Sequence, residues 1–229
     1  MNALVIGYRA QGKSTLALAL ARVHHPNVVI WDPRAQYAGG VVIHRASDLK
    51  LWLEDDDRMD ILIFQPEIGS DKPSKSEQFS ELVAIIREGH WGNFSIIVDE
   101  AHELQRPQGI NPELDWLMRQ APREGPAEIT VIQTCHALVD YHPTVHRLIS
   151  DAFIFNSRYA RDLPRIEEHY GASVAAVSSR LKRYEVVHCF DSDTEDGDLR
   201  RAYCVWRSAE SGSWYLPLDG TGRSSSRQR

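Results

Sequence analysis

Residues 3–23, ALVIGYRAQGKSTLALALARV, decide how the rest of the chain is read. The apolar run Ala3–Ile6 is short enough for one buried strand, and a helical run extends from Ser14 to Val23. Between them lies GYRAQGKS, residues 7–14, which matches the pattern G-x-x-x-x-G-K-[ST]. The glycines Gly7 and Gly12 let the backbone curl so that successive N–H groups face a phosphate chain, and the next helix adds its positive end. The expected nucleotide-binding segment is therefore Gly7, Tyr8, Arg9, Ala10, Gln11, Gly12, Lys13, Ser14 and Thr15. Lys13 would reach the β- and γ-phosphates, and the Ser14 hydroxyl would ligate Mg²⁺. A chance glycine turn needs neither the strand before nor the helix after. The expected ligands are ATP and Mg²⁺.

At 229 residues the chain can build one substantial core, with 42% hydrophobic and 25% charged residues, as in ordinary soluble domains. One domain, 1–219, is expected, followed by an Arg/Ser-rich tail, 220–229, read as disordered. The net charge of −6 makes the whole-chain field repulsive to DNA, so any such contact must come from local patches or from several subunits together. Cys135, Cys189 and Cys204 are far apart, which fits a reducing compartment better than a disulfide framework. No apolar run approaches the roughly 20 residues that span a bilayer. The chain is expected to be soluble and intracellular.

Apolar strands alternate with helices along the chain. Strands are read at 3–6, 28–32, 41–44, 61–64, 94–98, 129–133, 152–155, 185–190 and 202–206, the last two pairing as a hairpin. Helices are read at 47–53, 77–88, 111–120, 143–149, 163–169 and 173–182, besides the one after Lys13. Such alternation indicates an α/β fold with a mainly parallel sheet flanked by helices. The helix after Lys13 is apolar almost all round, which predicts burial by neighbouring helices or by a second subunit.

The second constellation is SIIVDE, which puts Asp99 and Glu100 at the carboxyl end of a strand, where open α/β sheets bind ligands. Asp99 suits Mg²⁺ and Glu100 suits polarising a water. An acidic pair after a strand can also simply start a helix. Gln133 ends the apolar strand ITVI and is expected to meet the attacking water or the γ-phosphate. Its strand follows the Asp99 strand in sequence, as when a strand is inserted between the two site-bearing strands.

With these residues in view, the chain resembles the FtsK–HerA group of P-loop motor ATPases. The resemblance is carried by the P-loop, IIVDEAHEL (96–104), the arginine-bearing MRQAPREG (118–125) and the strand-end glutamine. Its small size is similar to that of the genome-packaging ATPases of membrane-containing icosahedral, tectivirus-like viruses. The strand, helix, helix, strand ending, through about Asp191, resembles theirs as well. The resemblance implies a RecA-like core with a small C-terminal β extension, and a homo-oligomeric ring, a hexamer, that threads double-stranded DNA. It also implies a capsid vertex protein as partner and a location at the virion as well as in the host. By the same resemblance Lys13, Ser14, Asp99, Glu100 and Gln133 take the Walker A, Walker B and sensor roles, and an arginine from the neighbouring subunit completes the site. Arg123 best matches that position and Arg119 comes second; either could instead be a solvated helix-end cation. After Gln133 come Thr134, Cys135 and His136, where many relatives place an arginine.

Two other readings compete. A P-loop kinase for a small molecule seldom needs a glutamate directly after the Walker B aspartate, and no arginine-rich lid is evident. Filamentous-phage-assembly or zonula occludens toxin-like ATPases carry similar motifs but normally a membrane anchor. Lesser candidates are a zinc cluster of Cys135, His136, His142 and His146, and Asp32 either near the nucleotide or capping the Pro33 turn. Lys72, Lys75 and Arg106, with Arg223, Arg227 and Arg229 in the tail, are candidate DNA contacts. The tryptophans are read as core or interface.

Overall fold

Strands buried on both faces set the architecture. The computed structural model describes residues 1–54, 61–89, 93–106, 109–119, 121, 128–157, 160–193, 199–208 and 214–218. Arg123, Trp91 and the tail 220–229 lie outside these residues. In chain order the elements begin with β1 (Asn2–Ile6), α1 (Lys13–His24), β2 (Val28–Trp31), β3 (Val41–Ile43), α2 (Ala46–Glu54), β4 (Ile61–Phe64), α3 (Lys75–Glu88) and β5 (Phe94–Val98). A 3₁₀ turn (Ala101–Leu104), a small ribbon of β6 (Gln105–Arg106) and β7 (Gly109–Ile110), and α4 (Pro112–Arg119) follow. Then come β8 (Ile129–Cys135), α5 (Pro143–His146), β9 (Asp151–Phe155), α6 (Leu163–Tyr170) and α7 (Ala172–Ser178). The described chain closes with β10 (Glu185–Asp193), β11 (Leu199–Ser208) and β12 (Trp214–Leu218).

Among the described residues the main sheet has ten strands, ordered β12-β11-β10-β9-β1-β8-β5-β2-β4-β3. From β9 to β3 every pairing is parallel, and β10, β11 and β12 add antiparallel strands at one end. This is the mainly parallel α/β sheet that the alternation predicts. The expected hairpin is there too, as β10 and β11, and β12 extends it by a strand that the sequence reading did not place. The inserted strand is β8, hydrogen-bonded to β1 on one side and β5 on the other.

Because a strand's side chains alternate, the sheet feeds two cores. Leu4, Ile6, Val98 and Val131 face one layer, with Leu49 of α2, Phe79 and Leu82 of α3, Leu117 of α4 and Ile166 of α6. Trp31 belongs there, stacked on Phe64 with ring centroids 5.4 Å apart and meeting Phe79 edge-on at 5.2 Å. It is core, like the buried Trp52. Ala3, Val5, Ile97 and Ile132 face the other layer, to which α1 contributes Leu16, Ala17, Leu20 and Ala21. Within the single chain the burial of α1 is one-sided: Leu18 is only partly buried and Val23 is 81% exposed, so this chain's own described helices do not cover its other face.

Helix α3 starts at Lys75, two residues before the expected position, because Ser74 and Glu77 form a capping box. The Glu77 N–H donates to Ser74 Oγ (3.3 Å) and the Ser74 N–H to Glu77 Oε2 (2.7 Å), so two otherwise orphaned donors are satisfied.

Candidate nucleotide site

Three adjacent parallel strands, β1, β8 and β5, deliver their carboxyl ends to one crevice, and each continues into a different part of the site. β1 runs into the Gly7–Ser14 loop, β5 into Asp99 and Glu100, and β8, between them, into His136. The loop's conformation follows from its glycines. A Cβ on Gly7 would lie 2.6 Å from Gln11 Oε1 and 2.7 Å from Phe155 Cβ, so only glycine fits there. Gly12, at φ 103°, is left-handed and opens α1. Gln11 folds back inside the loop, its Oε1 accepting the Tyr8 N–H (2.8 Å) and its Nε2 donating to the Asn156 carbonyl (3.0 Å). The Tyr8 hydroxyl donates to Asp162 Oδ2 ahead of α6. The first helical bond after the loop runs from the Leu16 N–H to the Gly12 carbonyl (2.9 Å). The N–H groups of Lys13, Ser14 and Thr15 thus have no partner within the helix and can be offered to an anion.

Lys13 is buried, with Nζ 3.3 Å from the Tyr8 carbonyl and 3.4 Å from His136 Nδ1. Burial pushes its pKa down, and the carboxylates of Glu100 and Asp99 oppose that fall. A buried ammonium whose two bonds are both long is poised to exchange them for stronger acceptors.

Asp99 is buried and accepts a hydrogen bond at Oδ1 from Thr134 Oγ1 (2.6 Å), while its Oδ2 has no hydrogen-bond partner. Burial raises its pKa to about 6, the Thr134 bond opposing and the charges of Glu100 and Asp32 adding to the rise. The Tyr37 hydroxyl, carried by the loop after β2, lies alongside both Ser14 and Asp99. A reluctantly ionised carboxylate and a serine hydroxyl, both beside the Tyr37 hydroxyl, are a donor set that suits Mg²⁺, which takes one or two protein oxygens and fills its shell with phosphates and water. When bound, that ion would neutralise charge gathering on the phosphates.

Glu100 is also buried and, at φ 51° and ψ 43°, takes the left-handed conformation, a costly one for a bulky side chain. Its N–H donates to Thr134 Oγ1 (3.2 Å), which pins the turn. Oε1 lies 2.8 Å from His136 Nε2 and 3.7 Å from Arg34 Nε, and Oε2 lies 3.4 Å from His102 Nδ1. Burial pushes its pKa up, but the His136 hydrogen bond and the charge of the nearby Arg34 guanidinium outweigh that and hold it below the ordinary carboxylate value. The two neighbouring carboxylates are therefore driven in opposite directions. Beside Lys13, Ser14, Glu100 and His136 opens a cleft of about 580 Å³, within the range of small-molecule sites.

Gln133 requires a correction. It lies in β8 paired with Leu4 and Val98, which share its face and point away from α1. Fully buried, its Nε2 donates to Met118 Sδ (2.6 Å) and its Oε1 accepts the Tyr141 hydroxyl, so its amide does not face the crevice. The next residue on the other face, Thr134, holds Asp99 and Glu100 instead, and His136 follows it. Three contributors were missed from the sequence: Thr134, His136 and Arg34. Strand alternation was the available signal, since Ile132, Thr134 and His136 share one parity.

Other expectations resolve as follows. Arg119 ends α4 half-exposed, with Nε 2.7 Å from Asp115 Oδ1. Asp32 is fully buried and caps the turn after β2, Oδ1 accepting the Gln36 N–H (2.9 Å) and Oδ2 the Tyr37 N–H (3.0 Å). Lys72 and Lys75 are engaged with Glu67 (2.8 Å) and Glu103 (2.7 Å), which blunts them as DNA contacts. The suspected zinc ligands are dispersed: His136 faces Lys13, Cys135 is buried in the opposite core, and His146 stacks on His169.

No protein-family model and no curated protein sequence matches the chain. Solved structures do. The genome-packaging NTPase B204 of Sulfolobus turreted icosahedral virus 2, in complex with AMPPCP, superposes with a TM-score of 0.64 at 18% identity over 87% of this chain and 95% of that one. VirB4 of Thermoanaerobacter pseudethanolicus gives 0.63 at 14% identity, over 92% and 90%. The chain has a RecA-like P-loop NTPase fold. The likeness spans most of both chains. Within this P-loop NTPase fold no described helix is long and apolar enough to cross a membrane.

The electrostatics yield a stability prediction. An aspartate whose pKa rises from 3.8 to about 6 on folding binds more protons folded than unfolded, so its contribution to stability falls as pH rises through that window. Asp99→Asn removes this charge while its side-chain oxygen can still accept from Thr134. The nucleotide-free variant is expected to melt higher than wild type at pH 7.5, with the difference shrinking towards pH 4. Thermal melts across that range check this; a variant less stable than wild type at pH 7.5 would contradict the account of Asp99.

Proposed function

We propose that the chain is an ATPase that drives double-stranded DNA translocation as a homo-oligomeric ring, a viral genome-packaging motor of hexameric form. The observation that carries the hydrolysis reading is the convergence of Lys13, Asp99 and Glu100 on one crevice, with Ser14 and Asp99 both beside the Tyr37 hydroxyl and a low-pKa glutamate lining the cleft. In this reading the loop N–H groups and Lys13 hold the phosphates, Ser14 and Asp99 hold Mg²⁺, and Glu100 accepts a proton from the attacking water. The nucleobase takes the adjoining recess of about 530 Å³ lined by Tyr8, Asn156, Leu181 and Arg183, where the Arg183 guanidinium donates to the Ala10 carbonyl (3.2 Å). The motor reading is supported by the fold shared with a genome-packaging NTPase and with VirB4.

The test is Mg²⁺-dependent ATP hydrolysis with and without double-stranded DNA, with particle mass measured by light scattering in the presence of an ATP analogue. DNA-stimulated turnover by a ring is the expected result, and DNA affinity should fall steeply with salt. Phosphate transfer to a metabolite by a monomer would point to a kinase instead. For the trans arginine we assign Arg123 first and Arg119 second. Arg123→Ala is expected to keep nucleotide binding and to lower turnover by about 10³-fold or more, the scale on which such arginines act. Unchanged turnover per assembled subunit would remove Arg123 from the site.

A further inference from the structure

His136 touches both halves of the site, and no step of the reading above is assigned to it. It stands one residue beyond β8, between the ends of β1 and β5, with its ring partly open to the cleft. Its two nitrogens are committed in opposite senses. Nδ1 lies 3.4 Å from Lys13 Nζ, and an ammonium can only donate. Nδ1 is therefore the acceptor, and the neutral ring carries its proton on Nε2, 2.8 Å from Glu100 Oε1. One imidazole thus accepts from the P-loop lysine and donates to the carboxylate.

We propose that His136 is a positioning residue for Glu100, keyed to nucleotide occupancy through Lys13. This rests on the reading of Lys13 and Glu100 as hydrolysis machinery. In the nucleotide-free protein the ring fixes Glu100 Oε1, and its own orientation is fixed by Lys13. Phosphate oxygens are better acceptors for Lys13 than the 3.4 Å contact to the ring or the 3.3 Å contact to the Tyr8 carbonyl. Once Lys13 turns to phosphate, Nδ1 loses its donor while Nε2–H still holds the carboxylate. The ring is then free to adjust with Glu100, which leaves the second carboxylate oxygen to take a proton from water. The backbone of Glu100, tied through its N–H to Thr134, stays in place throughout. Parity along the strand explains the choice of residue: His136 continues the face of Thr134, whereas Gln133 faces the opposite core.

The test compares His136→Gln with His136→Asn in the full chain, beside wild type and Glu100→Gln, under DNA-stimulated conditions. A glutamine places its NH₂ where Nε2 stood and keeps the bond to Glu100; an asparagine reproduces only the Nδ1 side. His136→Asn is expected to lower kcat about 10- to 100-fold, the scale for outer-shell partners, with KM for ATP unchanged, and His136→Gln to recover most of that loss. A ring that merely filled space would not distinguish the two. Imidazole ¹⁵N spectra supply a second readout, with His136 assigned by its absence in the variants: the Nε2–H tautomer without nucleotide, and a shifted Nδ1 signal on adding Mg²⁺ and AMPPNP. Equal losses in both variants, a change confined to KM, or an Nδ1 signal unmoved by AMPPNP would overturn the proposal. If wild type hydrolyses ATP and Glu100→Gln does not, yet His136→Asn behaves as wild type, this inference alone fails. A wild type that cleaves no ATP takes the functional reading down and this inference with it.

Discussion

Glu100→Gln is expected to lower kcat by about 10²–10⁴-fold, the usual range for loss of a general base, while leaving ATP affinity essentially unchanged. The substitution keeps the volume and one carbonyl oxygen, so the turn pinned by the Glu100 N–H and Thr134 survives. What it removes is the proton acceptor. The carboxylate is ionised at neutral pH because the His136 hydrogen bond and the Arg34 charge overcome its burial, and an amide in the same place cannot take a proton from water. Glu100 lines the cleft together with the loop residues that would hold the phosphates, and as a proton acceptor it acts on the transition state rather than on ground-state binding, so kcat and kcat/KM should fall together. Isothermal titration with Mg²⁺–AMPPNP beside steady-state turnover separates the two. A large rise in Kd with unchanged kcat would place Glu100 in binding and not in chemistry.

The second large effect is expected at Lys13. Lys13→Ala should weaken ATP binding by about 2–5 kcal/mol, the cost of removing one partner of a buried, hydrogen-bonded charge pair. That corresponds to roughly 30- to 4,000-fold in Kd. Lys13 is buried, its pKa is already lowered by desolvation, and its present partners are a carbonyl and an imidazole rather than an anion. A triphosphate would give it a direct anionic partner in place of these neutral acceptors. Without the lysine, the same cleft presents Asp99 and Glu100 to a polyanion with less to offset them. Titration with ATPγS, alongside a circular-dichroism spectrum to verify folding, reads the effect. Wild-type affinity in a folded Lys13→Ala protein would mean that the loop does not bind phosphate as read.

What the sequence made legible was local. The Gly7–Ser14 loop could be read because its spacing and its flanking strand and helix are contiguous, and Asp99–Glu100 because a carboxylate pair ending FSIIV emerges at the sheet's carboxyl end. Strand alternation with helices gave the parallel sheet, and the position of β8 beside both site strands was anticipated. The errors came where side-chain direction decides. Gln133 looks like a sensor by position, but the two cores claim alternate residues of β8, and its amide is consumed by Met118 and Tyr141. The same alternation hands the crevice to Thr134 and His136, each unremarkable in the linear chain. Arg34 could not be found from sequence because the turn that Asp32 caps must form before it meets Glu103 and Glu100. Lys72 and Lys75 read as free cations for DNA until folding brings Glu67 and Glu103 against them. For α1, helix composition alone does not reveal that one layer of the sheet receives a single described helix, so which neighbour covers its apolar outer residues is not legible from the chain.

The most direct measurement is a structure of the assembled protein with Mg²⁺ and AMPPNP. The account predicts Lys13 Nζ moved off His136 onto the β- and γ-phosphates, the metal between Ser14 Oγ and Asp99, and a Glu100 oxygen directed at the terminal phosphate. A Glu100 side chain turned away from that phosphate, with no other carboxylate in its place, would contradict it.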